Sequence, residues 1–267
     1  MKTAGKIASY ILVLIALLSL FAPFVTNFDP DEIDLDSLRE PPNFNHPFGT
    51  DNKGRDILTR ILYGGRISIS IALTAAFMSM IAGLVVGLCS GYFGGKIDTA
   101  LMAFVDLVLS FPALLLAIAI SVLLPSGIYT VVLAIVAVGW ASFARLIRGS
   151  VLILRESTFV EAARALGCSN MRILFRHLMP QCLPILIVMT GLKLGGYLLT
   201  EASLSFLGLG AQPPTATWGS MINANRAYLS SAPWMVIFPG MMIAVTALSF
   251  NILGDTLRDR YGLKIRG

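Results

Sequence analysis

The chain has 267 residues, of which 56% are hydrophobic and 13% charged, with a mean hydropathy of +0.78. This composition excludes a soluble globule. At about 20 apolar residues for each crossing of a bilayer core of roughly 30 Å, the length admits about six membrane passages and no separate soluble domain. The net charge of +5 reflects arginines and lysines gathered on one face of a membrane, so the expected surroundings are a lipid bilayer and not nucleic acid.

Lys2 and Lys6 precede an apolar run from Ile7 to Val25. The run is longer than the core of a usual signal peptide and lacks an A-x-A site, so it reads as span 1 with its N-terminus inside. An acidic stretch follows, with Asp29, Asp31, Glu32, Asp34, Asp36 and Glu40. It reads as a solvated external loop. Next comes His46-Pro47-Phe48-Gly49-Thr50-Asp51-Asn52-Lys53-Gly54-Arg55-Asp56. An EF-hand reading of Asp51–Asp56 fails because the oxygen ligands are wrongly spaced. The run does resemble the H-P-[FL]-G-T-D-x2-G-R-D signature of one group, the C-type permeases of dipeptide, oligopeptide and nickel importers. Residues 56–66 are amphipathic, with Arg55, Arg60 and Arg66 beside Ile57, Leu58, Ile61 and Leu62, which predicts a helix lying along the outer interface.

Span 2 is expected from Ile67 to about Leu88. Ala75, Ser79, Gly83, Gly87 and Gly91 recur every four residues in it, a small-residue stripe that lets another helix approach closely. An inward-facing turn, 91–98, leads to span 3 over 99–123, where Pro112 predicts a kink. Asp106 lies within that span. A carboxylate there is costly, so it is either a structural hydrogen-bonding partner near the inner surface or part of the path. Span 4 is expected from the turn at Pro125-Ser126-Gly127 to about Ile147.

Residues 155–180 form a polar island between two apolar runs and carry Arg155, Arg164, Arg172 and Arg176, which places them inside. Ala and Leu around Glu161 favour a short helix, and Gly167 is a natural C-cap. Ser169 or Asn170 is placed to cap a second helix that Pro180 ends or restarts. Glu161, Ala162, Ala163, Gly167 and Pro180 sit in register with the E-A-A-x3-G…P loop of membrane subunits of binding-protein-dependent ABC importers, which this island resembles, and Arg164 falls at the first of its free positions. His177 and Met179 depart from that pattern, which has Ile and Leu there.

Span 5, over 181–207, contains Lys193 and Glu201. Eight residues put them about 12 Å apart along the helix and about 80° around it, so each needs a partner elsewhere. Glu201-Ala-Ser-Leu-Ser205-Phe206-Leu-Gly208-Leu-Gly210 again resembles the C-type permeases. Gly208 and Gly210 mark either a gate at the outer mouth or a simple cap. Trp218 and Trp234 border an outer loop, 211–233, as an interfacial aromatic belt would. Span 6 covers 235–254, and 255–267 reads as a basic internal tail.

The chemistry of a catalyst is missing. Gly95-Lys96 lacks the remainder of a P-loop, so no ATP site is expected on this chain. His46 and His177 are the only histidines and are assigned to opposite sides of the membrane, so no metal site is expected. Cys89, Cys168 and Cys182 suggest no disulfide framework.

The residues therefore predict an all-α integral membrane protein with six spans and both termini cytoplasmic. Three parts are expected: 1–66, a span with an external segment; 67–254, a five-span core with a loop at 148–180; and 255–267, the tail. The resemblance implies a type I ABC importer permease of the prokaryotic inner membrane, carrying di- or oligopeptides, or nickel or another small solute. It implies a homologous B-type permease, two ATPase subunits that bind the ATP and Mg, and an extracytoplasmic substrate-binding protein. It assigns ATPase coupling to Glu161–Gly167 and Pro180, and an external signature to His46–Asp56. Asp106, Lys193, Glu201, Ser205 and Phe206 are the candidates for the path or gate. An ion-gradient-driven transporter using Asp106, Lys193 and Glu201 as a relay is the competing class, with a structural scaffold a third.

Overall fold

The computed structural model describes residues 3–260, and the regular elements among them are all helical. Besides single turns at Ala22–Val25 and Arg226–Tyr228, the helices are α1 Thr3–Leu20, α2 Ile57–Phe93, α3 Gly95–Ser110, α4 Ala113–Leu123, α5 Ile128–Leu154, α6 Thr158–Ala165, α7 Asn170–Phe206, α8 Trp218–Asn225 and α9 Trp234–Arg260. Five of them (α1, α2, α5, α7 and α9) are long and apolar enough to cross a membrane. The expected third span is split into α3 and α4, which meet at 92° where Phe111 and Pro112 leave helical conformation. This pair still joins the two ends of the bundle. It begins beside Gly94, and the turn beyond α4 brings the Gly127 N–H to the Leu209 carbonyl (3.4 Å) at the opposite end.

The small-residue stripe does what its spacing predicts. A Cβ added at Gly83 would lie 2.3 Å from the Phe143 Cβ, one at Gly87 2.7 Å from the Ala144 carbonyl oxygen, and one at Gly91 2.7 Å from the Val151 Cβ. Helix α5 therefore lies directly on the stripe. Phe143, Ile147 and Val151 fill the seam and are fully buried. Between apolar helices in lipid, such close backbone contact replaces the hydrophobic drive that water supplies to a soluble core.

Several boundaries differ from expectation. The interfacial helix expected over 56–66 is instead the first part of α2, and its Ile57, Thr59, Arg60, Ile61 and Leu62 are buried. The arginines that made it look interfacial are satisfied by distant chain. Arg60 donates to the Pro30 carbonyl (2.5 Å) and pairs with Asp31 (3.1 Å), while Arg66 donates to the Ser19 and Leu20 carbonyls (2.5 and 2.7 Å).

Of the two roles expected of Pro180, ending or restarting a helix, it takes the second, standing in the first turn of the regular α-helix Met179–Phe206. Ahead of it, 173–178 widens into a π-type turn in which the Met179 N–H reaches the Leu174 carbonyl. The wider turn makes room for the proline ring and its missing donor, so α7 runs through. The second helix of the polar island is thus the start of span 5. Helix α9 likewise runs on to Arg260, taking in the first residues of the expected tail, while 261–267 and Lys2 lie outside the described residues. Trp218 is not a belt residue: it is fully buried, and its indole N–H donates to the Ile61 carbonyl (2.9 Å).

Candidate functional site

Two clusters, at opposite ends of the bundle, hold most of the residues singled out from the sequence, and the path and gate candidates are dispersed. At the end where α2 stops, the polar island folds as α6, a turn and the start of α7. Gly167 takes φ +75°, the left-handed conformation expected of a C-cap, and its N–H bonds the Arg164 carbonyl (2.9 Å). The Ser169 hydroxyl accepts from the Arg172 N–H (3.4 Å). Helix α6 buries Val160 and Ala163 against the core and leaves Glu161, Ala162 and Arg164 outward. Arg164 also stacks over the Tyr92 ring (5.4 Å), and the Tyr92 hydroxyl donates to the Asn170 side chain (2.8 Å). The island is therefore fastened to the end of α2. Its outer face presents Phe159, Leu166 (85% exposed) and Met171 to the surroundings.

Next to the island lies a clamp, where the sequence predicts only an inward-facing turn. Asp98 accepts two bonds from Arg148, Nε to Oδ1 at 2.6 Å and Nη2 to Oδ2 at 2.7 Å, and a third from the Ser90 hydroxyl. Arg155 donates to the Gly91 carbonyl (3.0 Å). Together these bonds tie α2, α3 and α5 at one corner. The signal was present, as Asp98 opens a helix and Arg148 follows an apolar run, but nothing in the spacing shows that the two meet.

The opposite end carries the signature run as a folded hairpin of turns. Asp51 binds the Arg55 guanidinium (2.7 Å) and lies 3.8 Å from Arg60. Asp56 caps α2, accepting from the Thr59 N–H and hydroxyl (both 2.7 Å), and its other oxygen meets His46 Nδ1 (3.0 Å). Pro47 lies inside the turn closed by the Gly49 N–H on the His46 carbonyl (2.8 Å). The Thr50 hydroxyl accepts from the Glu40 N–H (2.8 Å). Gly49 and Gly54 need their positive φ of 74° and 76°, and a Cβ at Gly54 would overlap the Asp34 carbonyl oxygen at 1.7 Å. So the signature residues are mainly structural to one another. They hold residues 34–56 down on the helix ends.

The path and gate candidates do not converge. Asp106 is 64% exposed and pairs with Arg145, so it has a structural partner. Glu201 is fully buried: its Oε1 accepts from the Ser205 hydroxyl (2.8 Å) and its Oε2 has no partner. Phe206 is partly exposed, with Arg226 over its ring (5.6 Å), and Gly208 turns the chain at φ +83°. Lys193 is half-buried, makes no ion pair or hydrogen bond among the described residues, and lines a cavity of about 100 Å³ with Tyr197 and Thr200.

Comparison with known proteins places this arrangement. A Brucella suis protein provisionally named a peptide transport system permease protein is 41% identical over 258 residues, covering 97% of this chain and 87% of that one. The glutathione transport system permease protein GsiD of Escherichia coli O157:H7 is 41% identical over 261 residues, covering 97% and 86%. Among solved structures, the inward-facing MetNI methionine ABC transporter superposes with a TM-score of 0.56 at 19% identity, covering 74% of this chain and 95% of that one. An amino acid ABC transporter with histidines gives 0.57 at 17%, covering 75% and 94%. These two share the fold. Residues 2–42 match the N-terminal transmembrane domain of oligopeptide transport permease C. Residues 83–266 match the binding-protein-dependent transport system inner membrane component, and the chain belongs to that family of multi-pass ABC importer permease subunits.

Proposed function

We propose that this chain forms half of the translocation path of an ATP-driven importer of peptides. In this reading it pairs with a B-type permease and couples to ATPase subunits through α6. The observation that carries the coupling is the outer face of the polar island. Phe159 of α6, Leu166 just past its end and Met171 in the first turn of α7 stand exposed on an island that is otherwise fastened to the bundle through Val160, Ala163 and the Arg164–Tyr92 stack. Apolar side chains held on a rigid, basic, non-membrane corner fit a groove in another protein. A helix-in-groove contact of this kind passes displacement in both directions. Because Arg148 and Arg155 join that corner to α2 and α3, movement of α6 reaches the spans.

Peptide as the substrate class is supported by the names of the relatives, one a peptide system and one a glutathione system. On this reading α6 faces the cytoplasm and residues 29–56 face a substrate-binding protein. For the path to alternate, α6 must bind the ATPases differently in the two states.

Co-purification in mild detergent tests the proposal. The native chain is expected to bring down a second permease and P-loop ATPases. Leu166→Asp is expected to keep the second permease and lose the ATPases. Recovery of the chain alone, or ATPases retained at full yield by Leu166→Asp, overturns the coupling role of α6.

A further inference from the structure

We infer that Lys193 and Tyr197 form a subsite inside the membrane that binds the carboxylate group of the solute in transit. The inference rests on the peptide reading above and names which part of the peptide this chain holds. Lys193 lies thirteen residues, about 20 Å, before the end of α7 at Phe206, so its charge is at mid-bundle depth. An ionisable group at that depth is expensive and needs a counter-charge. None is supplied here: Asp106 is taken by Arg145, Glu201 lies about 12 Å further along α7 and about 80° around it, and Lys193 makes no ion pair or hydrogen bond among the described residues.

The cavity beside it points to the ligand. It is walled by Leu109 and Ala113, on either side of the α3–α4 break, and by Gly139 and Ser142 of α5. Tyr197 is one turn beyond Lys193 on the same helix face, lines the same cavity and is 7% exposed, and its hydroxyl, beside the equally unbonded Ser79 hydroxyl at Gly139, makes no hydrogen bond of normal length. An ammonium and a phenol hydroxyl are both donors. A carboxylate, which only accepts, satisfies the two at once with one oxygen each. The remaining walls are mostly apolar, which strengthens attraction between the charges. A volume of about 100 Å³ takes a carboxylate and its neighbouring atoms but no whole peptide, so the subsite grips one end of the solute. A free peptide presents such a group at its C-terminus.

The test uses the whole importer, this chain with its partner permease, ATPases and binding protein, in proteoliposomes. ATP-dependent uptake is compared for trialanine and its C-terminal amide, with the binding protein saturated by each. The native complex is expected to take up the acid faster than the amide. Lys193→Met is expected to lower uptake of the acid about tenfold or more, the loss expected for one charge-assisted bond, and to change uptake of the amide less than about twofold. Lys193→Arg, which keeps the cation, is expected to retain the preference for the acid, and this guards against a simple folding defect. If Lys193→Met slows both forms equally, or neither, Lys193 serves structure or pairs with a carboxylate of the partner permease, and the proposal falls while the peptide reading stands. If the native complex takes up neither form, the peptide reading fails and the subsite assignment falls with it.

Discussion

Asp98 and Arg148 form a two-bond ion pair, 2.6 and 2.7 Å, that fastens the start of α3 to the end of α5. Arg148 lies ten residues before α6, and Asp98 also holds the Ser90 hydroxyl of α2. The pair is partly exposed, with side chains 32% and 16% accessible. Its worth therefore lies between an exposed pair and a buried charged bond, about 1–2 kcal/mol. Asp98→Asn is expected to lower the melting temperature of the detergent-purified complex by a few degrees. Combining Asp98→Asn with Arg148→Gln is expected to cost less than the sum of the single changes, because each already removes the shared bond. Strict additivity would show that the pair contributes nothing to stability.

The seam between α2 and α5 leaves no room for growth at Gly83, where a new Cβ would sit 2.3 Å from the Phe143 Cβ and 2.6 Å from the Trp140 carbonyl oxygen. Gly83→Ala is expected to cost about 1–3 kcal/mol through overpacking, seen as lower monodisperse yield by size exclusion. Gly149→Ala has the opposite sign. Nothing lies within 4 Å of its Cβ position, and replacing a helical glycine without strain gains about 0.4–1 kcal/mol. Equal effects at the two positions would mean that α5 does not rest on the stripe.

How far the sequence carried depends on the range of the interactions involved. The four-residue spacing of Ala75, Ser79, Gly83, Gly87 and Gly91 is a local pattern, and the helix it predicts against it is there. Gly167 as a cap is equally local and holds. Residues 56–66 looked interfacial because Arg60 and Arg66 seemed to need water. They are satisfied instead by carbonyls of Pro30, Ser19 and Leu20, contacts between residues 30 to 47 apart that no local pattern shows. Pro180 restarts the regular helix as one of its two expected roles, but the wider turn over 173–178 that keeps the run continuous ahead of it leaves no mark on composition. The Asp98–Arg148 clamp spans fifty residues and was invisible for the same cause as the arginines.

The start of α2 depends on one carboxylate. Asp56 is 4% exposed and accepts from the Thr59 N–H and hydroxyl while its second oxygen meets His46. Asp56→Ala is expected to cost about 1–2 kcal/mol, the range for losing an N-cap side chain. The loss should be local, with faster hydrogen exchange at Ile57–Arg60 and along the 46–51 turn. Asp56→Asn keeps an oxygen for Thr59 and should exchange much as the native chain does. If Asp56→Ala left exchange there unchanged, the helix start would be set by the buried Ile57 and Ile61 alone.

Glu201 separates an ATP-driven path from one driven by an ion gradient. Its carboxyl is fully buried, with Oε1 bonded to Ser205 and Oε2 unpartnered. A proton relay requires that carboxyl to load and release a proton in each cycle, whereas an ATP-driven path requires only its shape and its acceptor. Glu201→Gln preserves both, so ATP-dependent uptake is expected to stay within about twofold of native and to persist when a protonophore collapses the gradient. Glu201→Leu strands the Ser205 hydroxyl in an apolar site and is expected to cost about 1–3 kcal/mol in stability. If Glu201→Gln assembled normally yet abolished uptake, and the protonophore did the same to the native complex, the energy source would be the gradient, and the exposed face of α6 would need another explanation.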